Sequence, residues 1–101
     1  MNGTFEEIIN SEEPVLLEFY TEWCKPCKKM APHLNTVAEI FGQDLTIIKI
    51  DAEKNMTLKK HLKVDSVPTL ILYQRGKLLW RQAGGVYADK LERIIREKVR
   101  F

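Results

Sequence analysis

The chain has 101 residues, 45% of them hydrophobic and 30% charged, with a formal net charge of +2. That length fits one domain with its own core, and that composition is ordinary for a soluble globular protein. So small a charge gives no argument for nucleic acid or an acidic membrane surface, and no apolar run approaches the ~20 residues of a membrane helix.

The opening, MNGTFEEIIN, is acidic and lacks the basic-then-apolar profile of a secretory leader. A cytoplasmic protein is therefore expected, although a leader already removed would leave the same text. Thr4 and Glu7 match a capping box and predict a short helix over 4–10. PVLLEFYT (14–21) is a near-continuous apolar run and reads as a strand buried on both faces. From Cys27 the period becomes helical, through Met30, Leu34, Val37, Ala38 and Phe41, with Gly42 as the C-terminal cap and a kink expected at Pro32.

LTIIKID (45–51) reads as a second buried strand, and NMTLKKHL (55–62) as a short amphipathic helix. PTLILYQ (68–74) and KLLWRQA (77–83) form a hairpin about Arg75–Gly76, and Gly84–Gly85 ends it. Leu91, Ile94, Ile95 and Val99 mark one face of a last helix, whose other face offers the pairs Asp89–Arg93 and Glu92–Arg96. The order αβαβαββα implies one α/β domain over 1–101. Parallel strands joined by right-handed crossovers, then an antiparallel hairpin, give a mixed sheet with helices on both faces.

The only cysteines are Cys24 and Cys27, just past the first strand and opening the next helix. A disulfide between them closes so small a loop that it removes little entropy from the unfolded chain, which argues against a staple. Zinc needs four ligands, and His33 and His61 do not complete a standard set. A reactive pair fits best. A helix N-terminus carries unpaired N–H groups and positive partial charge that favour a thiolate, and Lys25 and Lys28 add to it. The spacing lets the second sulfur reach the first, and Pro26 enters a helix without losing a needed donor.

EFYTEWCKPCKKMAP (18–32) resembles the active-site segment of the thioredoxin family, and VDSVPTLILYQRGK (64–77) and AGG (83–85) extend the likeness from about Phe5 to Val99. The resemblance implies a three-layer sandwich with a mixed four- or five-stranded sheet, and a thiol–disulfide oxidoreductase that reduces protein disulfides. Cys24 would be the exposed nucleophile and Cys27 the buried resolving thiol. A thioredoxin reductase would reset the pair, with flavin and NADPH belonging to that partner and no cofactor or metal bound here. Disulfide-containing client proteins are the expected substrates, and a monomer is expected.

The resemblance further implies that Glu18 is a buried proton relay for Cys27, standing where the family has aspartate, with Lys49 as its partner. It implies a cis bond before Pro68 that turns the Val67 backbone outward, so that Trp23, Val67, Pro68 and Gly84 border a substrate groove. Three departures stand out. Glu18 is one methylene longer than the family residue, Lys25 replaces the usual glycine, and Tyr87 replaces a capping serine. Lys25 favours the Cys24 thiolate and a more oxidising couple. A thiol oxidant or isomerase on the same fold is thus the first competitor, and a non-catalytic partner-binding module the second. The segment ahead of Phe5 is short, so the first strand of many family members is expected to be vestigial.

Overall fold

The computed structural model describes residues 4–101; the vestigial first strand falls on 1–3, outside the described residues. The elements are α1 (Phe5–Ile9), β1 (Val15–Tyr20), α2 (Lys25–Phe41), a 3-10 turn (Gly42–Asp44), β2 (Thr46–Asp51), α3 (Met56–His61), β3 (Thr69–Gln74), β4 (Lys77–Ala83) and α4 (Ala88–Lys98). Thr4 caps α1, its Oγ accepting the Glu7 N–H at 3.2 Å. The helical assignment of α2 runs through Pro32 without a break, and Gly42 stops it with a positive φ of 53°. The hairpin turns at Arg75 and Gly76, both at positive φ, the geometry that matches the twist of paired strands.

Among the described residues the sheet has four strands in the order β2-β1-β3-β4. β1 pairs parallel with β2, and β3 pairs antiparallel with both β1 and β4. Central position explains the two continuous apolar runs: β1 and β3 are buried almost throughout. β2 was expected to be equally buried, and it is not. Among the described residues it is an edge strand, with Thr46 and Lys49 exposed and its isoleucines half-covered.

The strands separate two cores. On one face Leu16, Leu70 and Leu72 pack with Met30, Leu34 and Val37 of α2 and Leu91 and Ile95 of α4. On the other, Val15, Leu17, Phe19 and Ile71 pack with Ile9 and Val64, under α1 and α3. Each fully buried Leu or Phe contributes roughly 1.5–3 kcal/mol by transfer from water. Of the two charge pairs expected on α4, Arg96 and Glu92 meet at 2.9 Å, whereas Asp89 and Arg93 form no ion pair. The Asp89 carboxylate instead accepts the Lys90 N–H at 2.8 Å.

Topology gathers four chain segments at one end of the sheet. β1 and β2 run out there, β3 begins there, and β4 ends there, as the Phe19–Thr69 and Thr69–Ala83 pairings require. The turns at that end carry Cys24, Glu53, Val67 and Gly84.

Candidate active site

β1 delivers the chain to this end, and α2 starts immediately after it. The helix begins at Lys25 rather than at Cys27, as the sequence suggested, and Cys24 is its N-cap. The reason is local. The Cys24 Sγ accepts the Cys27 N–H at 3.1 Å, doing what a serine or aspartate oxygen does at other helix starts. Pro26 sits in the first turn, where its missing N–H costs nothing. The two cysteines form a disulfide, with Cα atoms 5.3 Å apart.

Exposure does not distinguish the two sulfurs as expected. Cys24 is 4% exposed and Cys27 6%. What separates them is the cleft that Cys24 lines and Cys27 does not. This cleft, about 650 Å³, is bordered by Trp23, Cys24, Pro26, Glu53, Met56 and Val67 among others. Lys25 also lines it and is itself exposed. The Val67–Pro68 peptide is cis, and the Val67 carbonyl oxygen lies 3.7 Å from Cys24 Sγ. Gly84 is not part of the cleft wall. Nor is Pro68, also expected at the groove; the Gly84 N–H donates to the Pro68 carbonyl at 2.8 Å, one residue past Val67 in the wall.

Trp23 is 68% exposed, yet its ring is fixed, because Nε1–H donates to the Glu53 carboxylate at 2.8 Å. Sequence reasoning passed over Glu53 and Met56. A signal for Glu53 existed in DAEKN: Asp51 Oδ1 accepts the N–H groups of Glu53 and Lys54, an Asx turn that aims Glu53 back at the indole. Met56 is an apolar residue half-exposed on a short helix, and it is its place in the cleft lining that gives it a part in the site.

Glu18 is 1% exposed and lies in the middle of β1. It shares the face of Leu16 and Leu70 that packs against α2, the helix of Cys27. Neither carboxylate oxygen has a hydrogen-bond partner among the described residues. Burial therefore raises its pKa above the ordinary 4.5, and the nearby Lys49 charge only partly opposes this. The expected Glu18–Lys49 pairing is one of strand register alone. The two residues are Cα partners, but no ion pair forms, and the ammonium lies 5.7 Å from the Tyr20 ring centroid. The cause is the edge position of β2, which lets Lys49 reach water at no cost. Among the described residues, no group of three or more His, Cys, Asp or Glu side chains is placed to hold a metal ion. No helix among them is long and apolar enough to cross a membrane.

Comparison with known proteins adds a lineage to this geometry. The family model described as Thioredoxin matches residues 1–97. The chain is 41% identical over 94 residues to Thioredoxin Y2, chloroplastic, of Arabidopsis thaliana, covering 91% of this chain and 56% of that protein. It is 33% identical over 99 residues to the thioredoxin of Haemophilus influenzae, covering 97% and 92%. The crystal structure of thioredoxin from Trypanosoma brucei brucei superposes with a TM-score of 0.84 at 26% identity, covering 92% and 80%. The chain spans a little over half the length of the plant relatives it matches, 54–57%. With a disulfide joining the N-cap of α2 to its first turn, a cis-proline loop against it, and a family match over almost its whole length, the chain belongs to the thioredoxin family.

Proposed function

We propose that the protein reduces protein disulfides by dithiol–disulfide exchange at Cys24 and Cys27. The observation that carries this reading is the cysteine disulfide at the head of α2, with the Cys24 sulfur capping the helix and lining the cleft. In the reduced protein the Cys24 thiolate attacks one sulfur of a client disulfide. A mixed disulfide forms, and the other client sulfur leaves as a thiolate and takes up a proton. Cys27 then loses its proton, attacks Cys24 Sγ and expels the second client thiolate. Two electrons pass to the client, and the Cys24–Cys27 disulfide results.

Glu18 is the candidate acceptor of the Cys27 proton. A carboxylate buried without partners gains most from protonation, and it lies on the face of the sheet that packs against α2. The Trp23–Glu53 bond and the Val67 carbonyl give the cleft a fixed polar edge, suited to an extended client segment around its cysteine. A thioredoxin reductase, drawing on NADPH through its flavin, would restore the dithiol. We place this chemistry in a thiol-reducing compartment, where a disulfide so short in sequence serves turnover rather than stability.

The test is insulin-disulfide reduction coupled to NADPH through a reductase, with Cys27→Ser as the trapping variant. Turnover by the wild type and a stable mixed disulfide through Cys24 in the variant are expected. Efficient oxidation of dithiols combined with resistance to the reductase would instead identify an oxidant, the outcome that Lys25 beside Cys24 would favour. Client binding that survives Cys24→Ser without any turnover would identify a binding module.

A further inference from the structure

Residues 84–88 form the strap that joins β4 to α4. Every second amide in it donates inward, each to a different kind of acceptor. Gly84 N–H bonds the Pro68 carbonyl at 2.8 Å, Val86 N–H the Met30 Sδ at 3.3 Å, and Ala88 N–H the His33 Nδ1 at 3.1 Å. Met30 and His33 follow Cys27 along α2 at intervals of three, so one ridge of the redox helix holds the strap. The strap in turn holds Pro68, next to Val67 in the cleft wall.

Tyr87 is the N-cap of α4 and supplies no side-chain bond. His33 supplies it from another helix, its ring tilted against the Tyr87 ring at 5.0 Å. We infer that His33 is a pH-responsive positioning residue for the client cleft, acting through the strap and Pro68 on the adjoining Val67 wall; this rests on the dithiol-exchange reading. Nδ1 accepts a hydrogen bond only while it carries no proton. Protonation places a donor against the Ala88 donor and a cation at the positive end of α4. The ring itself meets the Ala88 amide and the Tyr87 ring; Lys29 lies one turn back on α2, and Asp89, Lys90 and Arg93 of α4 line the surface pocket on which Tyr87 also stands. Asp89 is the sole carboxylate of that set; its Oδ1 accepts the Lys90 N–H, and His33 forms no ion pair among the described residues. No other side chain of the described residues bonds the Ala88 amide, so once the ring charges the strap is held there by water alone and loosens.

The experiment follows single-turnover reduction of a soluble disulfide-cyclised peptide by pre-reduced protein, between about pH 5 and 8, the range in which imidazoles titrate. As pH falls, the half-saturating peptide concentration of the wild type should rise by up to about fivefold, the population shift that loss of one capping bond allows. In His33→Asn the Oδ1 takes the place of Nδ1 and does not titrate, so the low value should persist across the range. His33→Phe keeps the ring against Tyr87 without the acceptor and should show the high value throughout. Iodoacetamide alkylation of Cys24, which needs no cleft, should have the same pH profile in all three. In the wild type, the Ala88 amide nitrogen shift should titrate together with the His33 ring. An Ala88 amide that ignores the ring, or equal pH dependence in wild type and His33→Asn, overturns the inference. Absence of peptide reduction at every pH overturns the exchange reading instead, leaving the amide titration to judge His33.

Discussion

Replacing Glu18 with glutamine should make the oxidised protein more stable at neutral pH and leave it unchanged in acid. Glu18 is buried among apolar neighbours, and both oxygens lack partners among the described residues. Its folded-state pKa lies above the ordinary 4.5, with burial as the main cause. At pH values between the two, the folded chain holds a proton that the unfolded chain has released. The stability linked to this group is therefore full below 4.5 and is lost as pH rises through the folded value. Glutamine has the shape of the protonated acid and never ionises. The two proteins should converge below the ordinary value and separate as pH rises, by about 1.4 kcal/mol for every pH unit between the unfolded and folded pKa values, because only glutamate must ionise in the apolar site. Each kcal/mol is worth about 4–8 °C in Tm for a domain of this size. Urea unfolding across the acid-to-neutral range measures the difference, with the disulfide intact and equal m-values confirming that the unfolded states match. In the reduced protein, the same substitution should slow resolution of a trapped mixed disulfide more than its formation. Parallel stability curves for the two proteins would refute the burial argument, and unchanged resolution would remove Glu18 from the proton path.

Lys25→Gly should shift Cys24 alkylation to higher pH and lower the reduction potential of the couple, since it removes a cation next to the sulfur that caps α2; equilibration in a glutathione buffer reads the second effect. Identical alkylation and potential would show that solvent screens the exposed ammonium completely. Gln74→Leu should cost about 1–3 kcal/mol, because the buried amide makes three bonds, to the Glu12 carbonyl and to both the carbonyl and the N–H of Arg100. The C-terminal residues of this variant should be cut earlier in limited proteolysis, and equal resistance would contradict the assigned role.

The parts of the fold legible in the sequence are those where local pattern and tertiary place agree. The runs at 15–20 and 69–74 are apolar because both strands are central, and the spacing of Leu91, Ile94, Ile95 and Val99 follows one face of α4. β2 misled because TIIKID is β-branched in an edge strand as readily as in a central one; strand order is not a local property. At the site, the motif indicated the cysteines, but not that Cys24 itself caps the helix, because a sulfur at an N-cap has no strong statistical signature. Burial of Cys24 depends on surrounding chain segments distant in sequence, and so does the failure of Lys49 to meet Glu18. His33 and Met30 could not be singled out at all, since their partners are backbone amides 55 and 56 residues away.

The open flank of β2 gives Lys49 a meaning apart from Glu18. No described residue pairs with the outer side of β2, and an edge strand with three isoleucines offers its backbone groups to a foreign strand, the usual seed of aggregation. Lys49 stands exposed in the middle of that flank, and a strand docking there would have to strip water from an ammonium. A residue that looks at first like half of a catalytic pair thus puts a charge on the strand flank that no described residue covers.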